Sequence, residues 1–249
     1  MTAKYPVQYA LPDDLRRDRL PRHVAVIMDG NRRWAQQRDL PSIAAYRQGI
    51  DSLKQLLRCS QNWGIEALTA YAFSSENCEG PLEEVNALEV LIEGMLHQEL
   101  ANLSDHNVCI RFVGNLDGLP QPLQEAVEHA VTKTTDNPGV RFTLASNYGG
   151  RQEIVDACRT IAALVKHGNM VPEDIDEQLF GRHLYTAELC DPDLLIRTSG
   201  EMRISNFLLW QLAYAELFVT ETLWPDFGLS EFHQAIAAYQ QRDRRFGRV

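Results

Sequence analysis

The sequence predicts an α/β fold, a single domain on a six-stranded, mostly parallel sheet flanked by helices. Three observations carry that expectation. Short apolar runs rich in β-branched residues alternate with longer segments of helical periodicity, the pattern of strand–helix–strand units. The runs are apolar along their length rather than at every second position, as in strands buried on both faces. Several of them end in small polar residues: Asp29-Gly30-Asn31, Ser74-Ser75-Glu76-Asn77, Ser146-Asn147-Tyr148-Gly149-Gly150 and Arg197-Thr198-Ser199-Gly200-Glu201. A parallel sheet gathers such ends at its carboxyl edge, where open α/β folds bind ligands.

Residues 1–20 are polar and charged, with DDLRRDR among them, and read as a flexible N-terminal arm; the folded domain is expected over 21–249. The run 24–28 is the first strand, and Gly30 permits a tight turn after it. Asn31 is suited to cap a helix starting at Arg32. Residues 49–62 have helical spacing, 67–73 form a second strand, and 83–103 a long helix with Leu88, Leu91, Ile92, Met95, Leu96 and Leu100 on one stripe. That stripe reads first as packed core, with the wall of a hydrophobic tunnel as the alternative. A third strand is expected at 107–113, a helix at 119–135, a fourth strand at 140–145, a helix at 152–166 and a shorter one at 172–180. The fifth strand falls at 194–196, helical spacing at 205–213, the sixth strand at 217–220, and a closing helix at 230–244.

The 249 residues carry 24 basic and 34 acidic side chains, a net charge of −10. That length favours one large domain. An acidic chain is a poor general binder of nucleic acid. Any anion must then be met by local arginines. The five cysteines, Cys59, Cys78, Cys109, Cys158 and Cys190, are scattered without CxxC spacing, which suits a reducing cytoplasm better than a disulfide framework. The first residues do not read as a signal peptide, and no run of about 18 apolar residues marks a membrane span.

The densest chemistry lies at 23–35. A carboxylate, Asp29, sits where a strand ends, beside a new helix N-terminus with Arg32 and Arg33. The helix N-terminus and the arginines make an anion site. A carboxylate inside an anion site is accommodated by a shared cation, and Mg²⁺ bridging Asp29 to a phosphate or diphosphate is the simplest arrangement. An ordinary strand–helix turn is the bland alternative. Arg197, Arg203 and Ser205 flank Gly200 in a loop and can chelate one diphosphate, because guanidinium forks match phosphate oxygens. A surface pair with Glu201 competes with that reading. Glu216, in an otherwise apolar run, needs a metal or an arginine partner; metal ligation with Asp29 and pairing with an arginine both remain open. Asn77 can orient a substrate or relay a proton with Ser74 or Ser75, or serve as a turn residue. No GxSxG, Walker loop, GxGxxG or DDxxD is present, which disfavours a hydrolase or kinase on this crevice.

The segments HVAVIMDGNRRWA, YAFSSEN, NYGGRQEI, DLLIRTSGEMRISNFLLWQLAYAEL and LWPDF resemble the cis-prenyltransferases, and among them the isoprenyl transferases of the undecaprenyl diphosphate synthase type. The likeness runs over about residues 20–245 and implies a cis-prenyltransferase catalytic domain over 21–249. It implies a homodimer with a parallel sheet and a hydrophobic tunnel. The implied reaction joins isopentenyl diphosphate to an allylic diphosphate, farnesyl diphosphate or similar, giving a Z-polyprenyl diphosphate such as the undecaprenyl carrier precursor. Mg²⁺ is the implied cofactor. Asp29 becomes the metal-binding catalytic aspartate, Asn77 the proton acceptor and Glu216 a second metal ligand. Gly30, Asn31, Arg32, Arg33 and Trp34, with Ser74, Ser75 and Glu76, become the allylic diphosphate wall. Arg197, Arg203, Ile204 and Ser205 become the isopentenyl diphosphate site. A long lipid product implies a cytoplasmic protein that touches the membrane surface transiently.

Four allylic-site positions depart from the family pattern. Ser42 replaces a basic residue and Tyr46 a histidine, while Cys78 and Gly80 replace a tryptophan and an arginine. Arg32 stands where glycine is usual and restores part of the charge. Two lost charge-assisted contacts at roughly 1.5–3 kcal/mol each amount to several kcal/mol at that subsite. The resemblance therefore implies an altered allylic site, with a short-chain or irregular prenyl diphosphate synthase, or a non-catalytic partner subunit, as alternatives.

Overall fold

A computed structural model describes residues 9–74, 82–105 and 107–242; the side chains of 82–87, 99 and 101–105 are not described. The six strands are β1 His23–Ile27, β2 Ala67–Ser74, β3 Cys109–Val113, β4 Arg141–Tyr148, β5 Leu194–Arg197 and β6 Glu216–Val219. They form one sheet in the order β3-β4-β2-β1-β5-β6. Every pairing is parallel, so the sheet is wholly rather than mostly parallel. β1 is central: Val24 pairs with Leu68 on one side and Leu194 on the other.

Strand side chains alternate between two apolar layers. Val24, Val26, Leu68, Ala70, Phe142, Leu144, Leu194 and Ile196 face the larger core with four helices. These are α2 Ser42–Trp63, α3 Leu82–Asp105, α4 Gln121–Thr134 and α7 Leu229–Gln240. Ala25, Ile27, Tyr71, Ala145, Tyr148 and Leu195 face a second core with Phe207, Leu208 and Leu212. The remaining helices are α1 Asn31–Gln36, α5 Gly150–Lys166 and the short α6 Glu177–Gly181. On α3, Ile92, Met95 and Leu96 are buried, while Leu88 and Leu100 pack against the core.

Several boundaries differ from expectation for identifiable reasons. Helix α2 starts at Ser42, seven residues early, behind the extended Pro41. Gly49 inside it is no break: a Cβ there would lie 2.8 Å from the Trp224 ring, and the Trp224 indole donates to its carbonyl at 3.0 Å. The helix expected at 205–213 is absent. Ser205, Asn206 and Leu208 sit at φ of 47°, 60° and 42°, a region that cannot propagate a right-handed helix. The expected helix at 172–180 splits into a 3₁₀ turn, Pro172–Asp174, and α6. β4 runs three residues further, through Tyr148.

From Tyr9 the expected arm is packed onto the domain. Leu15 is buried, the Trp63 indole donates to the Ala10 carbonyl, and Arg16 exchanges two hydrogen bonds with the Gln240 side chain. Its charges point outward while Tyr9, Leu11 and Leu15 supply apolar contact.

Candidate active site

The carboxyl ends of β1 and β5 lie side by side and bring together most of the candidate residues. Gly30 turns the chain out of β1 at φ 102°, where a Cβ would meet Leu223 at 2.9 Å and Ser199 at 3.0 Å. Glycine is therefore required at this turn. Gly30, not Asn31, is the N-cap of α1; Asn31 is its first residue, and its amide donates back to the Met28 carbonyl at 3.0 Å. The Asn31 side-chain oxygen is buried without a partner.

Asp29 is held in place from three directions. Its Oδ1 accepts from the Gly30 N–H at 2.8 Å and its Oδ2 from Arg197 at 2.9 Å. Its backbone N–H meets the Thr198 hydroxyl at 2.9 Å, and that hydroxyl lies 2.7 Å from its carbonyl. Thr198 is fully buried and was not singled out from sequence; its position directly after a strand was the only available signal.

The Arg197 side chain is only 5% exposed. Its guanidinium reaches Asp29, the Ser205 hydroxyl at 2.8 Å and the Arg203 carbonyl, while its Nε remains unpartnered. Arg33 donates to Ser199 at 2.8 Å and Glu201 at 2.9 Å. Arg203 donates to Glu201 at 2.5 Å. The pair with Glu201 and the convergence on one site are both present. Asp29, Arg33, Arg197, Ser199, Glu201, Arg203 and Ser205 thus form one charged cluster over two strand ends. Ile204 points away from it, against the second core.

Trp34 and Glu216 are held by contacts outside the charged cluster. Trp34 is 9% exposed and packs with Ala35, Ala45 and Leu223. Its indole donates to Asp226 at 2.6 Å, and Arg38 lies 4.4 Å over its ring while also reaching Asp226. These contacts anchor α1 to the 223–227 segment. Glu216 begins β6 in register with Leu194, which pairs with Val24 at the start of β1. Within one chain it therefore lies at the opposite sheet edge from Asp29. It pairs with Arg242 at 2.5 Å, so the arginine alternative holds and the two carboxylates do not share a metal in one protomer.

Ser42 is the first residue of α2, and Arg32 is exposed on α1. Ser74 ends β2 and is buried. Ser75, Glu76, Asn77, Cys78 and Gly80 lie outside the described residues. Tyr46 lines a cavity of about 60 Å³ with Met28, Asn31, Gly49, Leu88 and Trp224 among its walls. It opens beside Asn31 and runs between α2 and α3, so the Leu88–Met95 stripe serves core and cavity together.

Beneath the cluster lies a buried acid. Glu153, 1% exposed, accepts from the Tyr148 hydroxyl at 2.5 Å, the Tyr185 N–H at 2.8 Å and the Gln211 amide at 3.1 Å. Burial pushes its carboxyl above the usual range, against the pull of these donors. His23, also buried, meets the Cys190 carbonyl at 2.6 Å and the Thr69 hydroxyl at 2.8 Å. The carbonyl only accepts, so Nδ1 carries the proton and Nε2 accepts. Burial lowers this imidazole to about 4.

Comparison with known proteins agrees with this geometry. Residues 27–247 match a family described as putative undecaprenyl diphosphate synthase. An isoprenyl transferase of Heliobacterium mobile is 50% identical over 242 residues, covering 97% of this chain and 93% of that protein. The crystal structure of lavandulyl diphosphate synthase from Lavandula x intermedia, in complex with dimethylallyl diphosphate, superposes with a TM-score of 0.89 at 39% identity, covering 92% of this chain and 99% of that one. A probable undecaprenyl diphosphate synthase from Campylobacter jejuni gives 0.77 at 30% identity, with the same coverages. With its carboxylate–arginine cluster at the carboxyl edge of an all-parallel sheet, the chain belongs to the undecaprenyl diphosphate synthase family and is a cis-prenyltransferase.

Proposed function

We propose that the protein joins isopentenyl diphosphate to an allylic diphosphate with Mg²⁺, using the cluster around Asp29 and Arg197. The observation that carries this reading is the buried Arg197 fork, which ties Asp29 to Ser205 and the Arg203 backbone. It supports the reading because the loop assigned to the acceptor diphosphate lies beside the carboxylate assigned to the donor. The donor set fits Mg²⁺: Asp29 offers a carboxylate one-third exposed, and Mg²⁺ is commonly held by one or two carboxylates with substrate phosphates and water. Among the described residues no group of three His, Cys, Asp or Glu side chains forms a cage, so substrate oxygens would complete the shell. Bound there, the ion would neutralise charge on the departing diphosphate.

In the reaction the allylic C–O bond breaks and its electron pair leaves on diphosphate. The isopentenyl double bond supplies the pair for the new C–C bond, and a proton is lost from the adjacent carbon. Arg33 and the α1 N-terminus hold the donor diphosphate. Arg197, Arg203 and Ser205 hold the acceptor diphosphate, fixing its alkene toward the allylic carbon. Asn77 takes part in removing the proton, by the resemblance. Diphosphate release should require Mg²⁺, stop with EDTA and fall at least a hundredfold in Asp29→Asn; EDTA-resistant release at the wild-type rate would overturn the assignment.

A second reading concerns product size. Among the described residues the cavity of about 60 Å³ has room for about four to six waters at 10–15 Å³ each, little space for a long chain. Tyr46 is part of its wall, and Ser42 and Tyr46 leave the donor side short of cations. A short or irregular product from a five-carbon primer follows, in keeping with the likeness to a lavandulyl diphosphate synthase. A kcat/KM higher for dimethylallyl than for farnesyl diphosphate supports it; the reverse order rejects it.

The enzyme is read as a cytoplasmic homodimer. Among the described residues edge strand β6 pairs only with β5, and Met202, Tyr214, Leu217 and Val219 are 88%, 75%, 49% and 37% exposed. Unpaired edges and apolar patches invite a second copy; sedimentation as a monomer at micromolar concentration would oppose this. No helix among the described residues is long and apolar enough to cross a membrane. Contact with a bilayer during release of a long product is therefore proposed as peripheral, and release rates unchanged by lipid vesicles would count against it.

A further inference from the structure

The loop that carries Arg203 and Ser205 is strained and lacks regular structure. Three non-glycine residues within four positions hold left-handed φ, a conformation that persists only where the surroundings impose it. What imposes it can be traced. The Gly150 and Arg151 N–H groups at the start of α5 grip the Asn206 carbonyl and side chain at 2.7 and 2.9 Å. Gln211 is tied to Glu153. The third hold comes from Tyr71 on β2. Its ring stacks on Phe207 with centroids 4.4 Å apart and planes at 11°. Its hydroxyl lies 3.0 Å from the Tyr148 carbonyl and 3.4 Å from the Ser205 carbonyl.

We propose that Tyr71 is a positioning residue for the acceptor diphosphate site: a strut that sets the Ser205 backbone from the donor-side strand. Tyr71 is 7% exposed. It sits where the β2–β4 register shifts, between Tyr71 and Phe73 and again before Ser74. Such an irregularity re-aims the residues beyond it, here the start of the Ser74-Ser75-Glu76-Asn77 segment. The single proton of this hydroxyl is shared, with the Tyr148 carbonyl as the shorter branch and the Ser205 carbonyl as the longer one, so the end of β2 is linked to the end of β4 and to the acceptor loop. Tyr71 is linked to the acceptor site through Ser205, whose hydroxyl faces Arg197 while its carbonyl faces Tyr71. Chain separations of 77 and 134 residues hide this link from the sequence.

This inference rests on the acceptor reading of Ser205. The test is Tyr71→Phe, which keeps the ring and its stacking and removes only the hydroxyl. Losing one hydrogen bond of ordinary net strength should raise KM for isopentenyl diphosphate about three- to tenfold, with KM for the allylic diphosphate and kcat within about twofold. Calorimetric titration with isopentenyl diphosphate should show the same loss. Phe207→Leu, which keeps the hydroxyl and loosens the stack, should shift the same parameter in the same direction. Equal changes in both KM values, a fall in kcat alone, or an unchanged acceptor KM would each overturn the strut. Should Tyr71→Phe fail to fold, Phe207→Leu decides by the same split. If the wild-type protein does not bind isopentenyl diphosphate, the acceptor reading itself fails first; wild-type binding with an indifferent Tyr71→Phe removes only the strut.

Discussion

Replacing Arg197 with lysine removes the geometry of the site while keeping its charge. The guanidinium makes three contacts in fixed directions, to Asp29 Oδ2, Ser205 Oγ and the Arg203 carbonyl. An ammonium on a flexible stem cannot hold three such partners at once in a side chain 5% exposed. Losing two charge-assisted contacts at about 1.5–3 kcal/mol each gives a gross cost of about 3–6 kcal/mol. Asp29 is one-third exposed, so water recovers part of its share, and the lower half of that range applies. At about 1.36 kcal/mol per decade, kcat/KM for isopentenyl diphosphate should fall roughly 150- to 2,000-fold. The assay is steady-state turnover of labelled isopentenyl diphosphate at saturating allylic substrate, with circular dichroism to verify folding. A folded Arg197→Lys enzyme within fivefold of wild type would refute the claim that this fork organises the acceptor site.

Three further outcomes are expected. His23 is held neutral at about 4 against an ordinary 6.5, so the unfolded chain takes up a proton first as pH falls. Its stabilising effect is complete above pH 6.5 and is lost progressively toward pH 4, by about 3 kcal/mol; the difference in denaturant midpoint between wild type and His23→Gln should follow that slope, and parallel pH curves would refute it. Trp34→Phe removes the indole donor to Asp226 and should cost about 1 kcal/mol of stability with allylic KM within twofold; a tenfold KM rise would return Trp34 to the diphosphate site. Ser42→Arg with Tyr46→His should lower allylic KM at least tenfold, since the restored guanidinium adds about 1.5–3 kcal/mol; no change would show that these positions do not face the donor.

Much of this architecture is legible in the chain because parallel strands buried on both faces leave unbroken apolar runs. β1 and β5 announce themselves in this way, and the polar residues at their ends mark the site. Where local signals compete with tertiary contacts, reading fails. Apolar spacing at 205–213 suggests a helix, yet Ser205, Asn206 and Leu208 adopt left-handed φ because α5, Tyr71 and Glu153 hold the loop from outside. Asn31 looks like a cap, but the φ of Gly30 puts the glycine in that place and turns the Asn31 amide onto Met28. Glu216 invites a metal because a carboxylate in an apolar run needs a partner; strand direction, which fixes the sheet edge it occupies, gives it Arg242 instead. The Trp34–Asp226 contact spans 192 residues and has no local trace.

The most direct measurement is product analysis. Purified protein, Mg²⁺, labelled isopentenyl diphosphate and a graded set of allylic primers should yield a prenyl diphosphate with a new Z double bond, identified by mass and by NMR. Absence of product from every primer, with isopentenyl diphosphate still bound, would contradict the catalytic account and leave the chain as a partner subunit of an active synthase.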